Sequence, residues 1–292
     1  MMQSGLADAL VTAANAAGHE LAQAALVIAR LEYPRLESAA HIARLDQMGD
    51  AARKCLPRDA DDTPGERSVL PIVAAINRFL FDQERFAGNR DRYEDPRNSC
   101  LNEVLDRRTG IPITLSLVYM EVGRRAGLHV DGINFPGHFL VRVRDQGRGG
   151  AVIVDPFDGG ALLSTDDCRR LLRKQVGSEV AFSRSLLAPA TPTQIIVRML
   201  LNLKRIYVHM RSFPQAHDAT ELLLAVMPSA LNELRDRGLL AYHLNDMSGA
   251  LRDLQTYLKL TSMGEVDKQT RQEHQQIWEH VKTVRRRIAS MN

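Results

Sequence analysis

Cysteine is scarce in this chain of 292 residues. There are three, Cys55, Cys100 and Cys168, widely spaced and without a Cys-x-x-Cys pair. That excludes a disulfide framework and a thiolate zinc site, and no metal or other cofactor is expected. An odd, low count suits a reducing compartment, so a cytoplasmic location is expected. Long apolar runs are missing too. Asp8 and Glu20 interrupt the apolar residues near the N-terminus, no basic leader precedes them, and nothing approaches the ~18 apolar residues of a membrane span. Net charge is small, +3, which supports no nucleic-acid claim. No recognition-helix pattern or aromatic-basic platform appears either. Arg285-Arg286-Arg287 reads as a solvated helix face.

What the chain does have is helical periodicity. From about Ser4 to Cys55, Ala, Leu and Ile dominate. Leu21, Ala24, Ala25, Ile28 and Ala29 share one face, Pro34 breaks the pattern, and Ile42, Leu45 and Met48 resume it. Pro57 to Gly65 is a polar loop. Helix is expected again from about Glu66, with Val69, Ile72, Val73, Ile76, Phe79 and Leu80 as a core stripe. Phe86 to Arg97 crowds charge with aromatics and turn formers. It reads either as a self-bridged loop or as a loop lining a cleft beside His138. Asn98-Ser99 offers N-caps for a short helix, Leu101 to Arg107.

The informative stretch runs from Asn98 to Phe157. A buried helix is expected from Pro112 to Ala126, with Leu115, Val118, Tyr119, Val122 and Ala126 on one face and Gly127 closing it. Proline suits its first turn, where its fixed φ costs nothing. Arg124 and Arg125 complement the dipole at its end. A strand led by His138 follows, with Phe139, Val141 and Val143 alternating against Leu140, Arg142 and Arg144. Asp145 to Gly150 is a hairpin turn. Ala151 to Asp155 returns, and Thr165 to Lys174 forms a short helix capped by Thr165. A His and an Asp on neighbouring strands, facing a helix N-terminus, make up two-thirds of a Cys-His-Asp hydrolase or transferase site.

After Pro189 the texture is almost purely helical and weakly self-similar at a spacing of 34: Met210, Phe213 and Ala216 recur as Leu244, Met247 and Ala250, and Leu224 as Leu258. That is the tetratricopeptide period, followed by a terminal helix, Thr270 to Ser290. Two repeats are fewer than a free solenoid needs, which predicts that this region packs on the first domain.

With Phe86-Ala87-Gly88-Asn89-Arg90-Asp91, Asn98-Ser99-Cys100-Leu101-Asn102, Gly110-Ile111-Pro112-Ile113, Pro136-Gly137-His138-Phe139-Leu140-Val141, Asp155-Pro156-Phe157 and Leu234-Arg235-Asp236-Arg237-Gly238 in view, the chain resembles the SirB-type bacterial family. Members of that family join a transglutaminase-like core to tetratricopeptide repeats, and related cores occur in some eukaryotic F-box proteins. The resemblance covers the chain from about Ala24. It implies an α+β fold that is mostly helical: a papain/transglutaminase-like core with a small antiparallel sheet, then an all-α tetratricopeptide-like domain. The expected division is residues 1-60 as a helical segment packing on the core, 61-190 as the core and 191-292 as the repeats.

Carried over residue by residue, the resemblance makes His138 the general base and Asp155 the group that orients it. It puts the nucleophile at Pro112, which has none. The expected function is a nucleophile-less, regulatory scaffold that grips a protein or peptide in its core cleft and binds a partner through its repeats. No membrane or nucleic-acid partner is expected. The alternative is a hydrolase or transferase of peptide or amide substrates. It would use His138 and Asp155 with water or with a displaced nucleophile, Cys100, Ser116 or Thr114.

Overall fold

The computed structural model describes residues 2–15, 21–57, 68–144, 150–262 and 268–291. The loop expected at Pro57 to Gly65 lies outside them apart from Pro57. The hairpin turn expected at Asp145 to Gly150 lies outside them apart from Gly150. The chain is mostly helical with a small antiparallel sheet, and it divides into two compact units. One is Thr12–Met199; the other is Leu200–Asn292 together with Met1–Val11.

The periodic N-terminal third folds as α1 (Met2–Asn15), α2 (Leu21–Ala29), α3 (Ser38–Cys55) and α4 (Leu70–Asn77). Pro34 falls between α2 and α3, where its fixed φ and missing N–H stop a helix. The helix expected to run through Leu80 changes type instead. From Arg78 to Gln83 it is a π-helix, closed by Glu84 N–H to the Phe79 carbonyl at 2.9 Å. The wider turn sits at a point where Asn77 is recruited by a distant loop.

Next, α5 (Leu101–Arg107) leads to α6 (Pro112–Arg125), every residue of which is buried from Pro112 to Gly123. Apolar residues occur all round α6, as a helix packed on several sides requires. It packs on α2, α3 and α5, and on the sheet. Gly127 closes it at φ +95°, a left-handed conformation that an L side chain resists.

The sheet is β3 (His129–Ile133), β4 (Leu140–Arg144), β5 (Ala151–Asp155) and β6 (Ala161–Leu163), antiparallel in that order. Two-residue strands β1 (Ala87–Gly88) and β2 (Thr109–Gly110) pair in parallel beside it. Strands β3 and β6 were not anticipated, because His129–Ile133 contains Gly132 and Asp131 and Ala161–Leu163 is too short to alternate. Then α7 (Thr165–Val176) is capped by Ser164, not Thr165. Ser164 Oγ accepts from Asp167 N–H, and Asp167 Oδ2 accepts from Ser164 N–H at 2.9 Å.

The second unit is helical: α8 (Pro192–His209), of which the part from Leu200 belongs here, α9 (Phe213–Val226), α10 (Leu231–His243), α11 (Met247–Thr261) and α12 (Lys268–Met291). The sequence period is repeated in backbone geometry. Arg211 and Asn245 are both left-handed, at φ 57° and 62°. Each is followed by the same closing bond, Ser212 N–H to Tyr207 carbonyl at 2.8 Å and Asp246 N–H to Ala241 carbonyl at 2.9 Å. These are two copies of one helix-ending motif.

Candidate functional site

His138 does not lead a strand. It stands in the turn before β4, its own N–H bonded to the Phe135 carbonyl at 3.0 Å. Pro136 and Gly137 (φ +69°) make that turn, which frees the ring from the pleat. Asp155 ends β5 as expected. The two side chains meet, His138 Nε2 to Asp155 Oδ2 at 2.9 Å, and each residue is only 6% exposed. The other carboxylate oxygen of Asp155 accepts from Phe157 N–H at 3.0 Å, capping the 3-10 turn Pro156–Asp158.

A second layer holds that turn. Gly160 N–H bonds the Asp155 carbonyl, Asn77 Nδ2 donates to the Gly160 carbonyl at 2.7 Å, and the buried Tyr119 hydroxyl bonds Asn77 Oδ1 at 3.1 Å. Burial pushes the Tyr119 hydroxyl pKa up, so it stays a donor. Sequence reasoning missed Asn77 and gave Tyr119 only a packing role. A tyrosine on an otherwise apolar face was the available signal, since a buried hydroxyl needs a partner.

With Nε2–H committed to the carboxylate, the basic lone pair of the imidazole lies on Nδ1. The pair has the form of an oriented general base, whose imidazolium a carboxylate stabilises.

The candidates for the third group are differently placed. Pro112 is the first residue of α6, buried and without a nucleophile or N–H. Thr114 Oγ1 is committed to the main chain: it donates to the Asn98 carbonyl at 2.7 Å and accepts from Ile111 N–H at 3.1 Å. Ser116 Oγ is buried and donates to the Phe139 carbonyl at 3.4 Å. Cys100 is fully buried and its thiol is pushed up to about 12, by burial first and then by Glu32, Glu103 and Asp95. That suppresses the thiolate a nucleophile needs. Burial, then Asp167 and Asp155, also raise the pKa of Cys168, which packs among Ile133, Phe135, Leu140 and Leu172.

The loop from Phe86 to Arg97 reaches this pair through Phe157. The Phe157 ring meets His138 edge-on at 5.9 Å and Tyr93 edge-on at 6.1 Å, and Arg90 lies over it at 5.0 Å while its guanidinium bonds Asp158 at 2.7 Å. Gly88 passes so close that a Cβ there would stand 2.6 Å from the Phe157 carbonyl oxygen. Asn98 secures the far end. It was expected to cap α5, but the N-cap is Cys100, whose side chain makes no capping bond. Asn98 is buried and braces the loop instead. Its Nδ2 donates to the Arg92 carbonyl at 2.7 Å, its Oδ1 accepts from Asn89 at 3.0 Å, and its carbonyl holds Thr114.

Among the described residues, no group of three or more His, Cys, Asp or Glu side chains is placed to hold a metal ion. None of the described helices is long and apolar enough to cross a membrane.

Compared with known proteins, residues 39–201 match the transglutaminase-like superfamily model, and residues 203–285 match a tetratricopeptide repeat model. A UPF0162 protein of Xylella fastidiosa (strain Temecula1) is 39% identical over 82% of this chain and 83% of its own length. UPF0162 protein PA3419 of Pseudomonas aeruginosa is 31% identical over 64% of each chain. F-box only protein 21 of Mus musculus is 34% identical over 59% of this chain, which spans 28% of that protein.

Proposed function

The chain belongs to the transglutaminase-like superfamily and groups with the UPF0162 proteins, and from that premise we propose that it is a scaffold without a nucleophile. In this reading the core cleft holds a protein or peptide and the helical repeats bind a partner. The SirB-type assignment, with its regulatory role, is part of the same proposal. One observation carries it. The start of α6, where a transglutaminase-like nucleophile belongs, is Pro112, and Cys100 and Cys168 both have thiols whose pKa is raised by burial. Without a thiolate the acyl-enzyme route is closed. The tetratricopeptide match supports the partner-binding half, because such repeats commonly present binding surfaces.

A second reading is favoured by the His138–Asp155 bond at 2.9 Å. The pair would activate water directly, as a hydrolase of peptide or amide substrates.

Turnover on a broad peptide pool, hydrolysis and amine transfer together, separates the two. The scaffold reading expects none above background in wild type, in His138→Ala, or in a Cys55/Cys100/Cys168→Ser triple variant. Turnover lost in His138→Ala but kept without cysteines would establish the hydrolase. The vacant role is tested by Pro112→Cys. A thiol at a helix N-terminus beside an imidazole loses its proton readily. The variant is expected to gain a site alkylated by iodoacetamide at pH 6 at least about tenfold faster than Cys100, and His138→Ala is expected to slow it. Alkylation no faster than at Cys100 removes Pro112 from the nucleophile position.

A further inference from the structure

The second unit carries a furrow that the repeats themselves do not explain. Along α12 the buried stripe is Ile277, Val281 and Val284, with Ile288 half-buried, packed on α11. Trp278 stands one residue off that stripe and is 44% exposed, although it is the only tryptophan in the chain. A lone exposed indole is an expensive residue to leave in water and a common anchor at interfaces.

Trp278 walls a concavity of about 400 Å³ between α11 and α12. A second concavity, about 460 Å³, continues along α11 and shares Gln255 and Lys259 with the first. Leu258 and Leu251 line the floor and Ile288 closes the far end. Two cations rise from it, Lys259 and Arg252, both exposed. Among the described residues, no Asp or Glu lines either concavity. The nearby carboxylates are already engaged: Asp253 by Arg237 at 2.5 Å and by the Nε of Arg252 at 3.1 Å, which leaves the terminal nitrogens of that exposed guanidinium to the furrow, Glu273 by Arg235, and Glu279 by Lys282 at 2.8 Å. Among the described residues, the furrow is therefore an apolar channel with an aromatic wall and a positive rim.

We propose that this furrow docks an extended acidic peptide segment of a partner protein, with an apolar side chain seated against Trp278 and carboxylates facing Lys259 and Arg252. This rests on the reading of the repeat unit as a partner-binding module, and not on that of the core. Opposite charge steers such a segment into place, while the apolar floor supplies contact area. A nucleic acid fits less well, because a phosphate backbone calls for a cation at each step and the furrow offers two beside an apolar floor.

The single tryptophan makes the test direct. The full-length protein is titrated with a short peptide alternating Glu and Leu, read by Trp278 emission and by anisotropy of the labelled peptide. Saturable binding that weakens with salt is expected, with no binding of a Lys-Leu counterpart. Lys259→Glu is expected to weaken it about tenfold and Trp278→Ala at least as much. Lys174→Glu, the same charge change on exposed α7, is expected to leave it unchanged. No saturable change, equal binding of the basic peptide, or equal weakening by Lys174→Glu overturns the proposal. So does displacement by a DNA oligonucleotide at equal charge concentration, or self-association that Lys259→Glu abolishes in the absence of peptide. None of these outcomes touches the scaffold reading of the core, which is tested by turnover and by the Pro112→Cys alkylation.

Discussion

In the core unit, buried polar side chains are answered largely by the main chain. Thr114 bonds the Asn98 carbonyl, Ser116 the Phe139 carbonyl, and Asp155 divides its oxygens between His138 and the Phe157 N–H. In the repeat unit Thr220 bonds the Ala216 carbonyl, but the buried carboxylates are answered by opposite charge. Glu233 takes Lys204 at 2.6 Å, Lys204 also reaches Asp236 at 2.7 Å, and buried Asp253 takes Arg237 and Arg252. Arg237 also bonds Glu221 on α9, and Arg235 joins Asp236 to Glu273 on α12. Main-chain partners hold a side chain to one geometry, as a site built around His138 and Asp155 requires. Charged partners tie neighbouring helices of the repeats to one another beside their apolar contacts. The Leu234-Arg235-Asp236-Arg237-Gly238 run is thus a set of interhelical ties.

The largest expected effect sharpens this contrast from the core side. Phe139→Ala empties a site that is 1% exposed and is expected to cost about 3–5 kcal/mol. Hydrogen exchange resolved by segment should show the loss in α6 and the sheet, with α10 and α11 unchanged. Equal loss in both units would mean that the two units unfold as one. From the repeat side, Arg237→Ala leaves Asp253, whose side chain is 3% exposed, with Arg252 as its remaining charged partner. Breaking such a pair is expected to cost about 2–3 kcal/mol, less than a fully buried pair because Arg237 itself is part-exposed. The loss should fall on α9, α10 and α11, and an unchanged exchange pattern there would show that the charge lattice is ornamental to stability.

The smallest effect tests one of the places where the core uses charge. The Arg97 guanidinium bonds Asp95 and holds its carboxyl below the usual range, against the opposing effect of burial. A depressed folded-state pKa stabilises above the unfolded value, about 3.9, and the gain is lost as pH falls through the folded value. Wild type is therefore expected to protect residues 86–100 better than Asp95→Asn at pH 7 and at pH 5, with the gap closing below about pH 4. A gap unchanged down to pH 2 would refute the assignment to Asp95.

Much of the core was legible because its signals are local. The bounds of α5, the proline that opens α6, Gly127 that closes it and Asp155 at the end of β5 each follow from the residues at hand. The failures share a cause. His138 lies outside β4 because Pro136 and Gly137 turn the chain, although the alternation of Phe139 to Arg144 runs on smoothly past them. Asn98 has the residue type of an N-cap but spends its side chain and carbonyl on the preceding loop and on α6 instead of on the first turn of α5. Phe157 looks in sequence like the tail of a strand, yet its ring joins Arg90, Tyr93 and His138.

By itself the sequence determined the helices, the thirty-four-residue period, the absence of a cysteine at the start of α6, and the presence of one His and one Asp close enough in the chain to meet. Those are matters of side-chain periodicity and of what a given residue can and cannot do. Only the tertiary structure decided that Nε2 rather than Nδ1 faces Asp155, that Tyr119 and Asn77 reach Gly160, and that Trp278 stands over a furrow instead of in the core. The reason is physical. Each of these depends on which surfaces remain after distant segments have packed, and a one-residue rotation about a helix, invisible to composition, moves a side chain from the core to water.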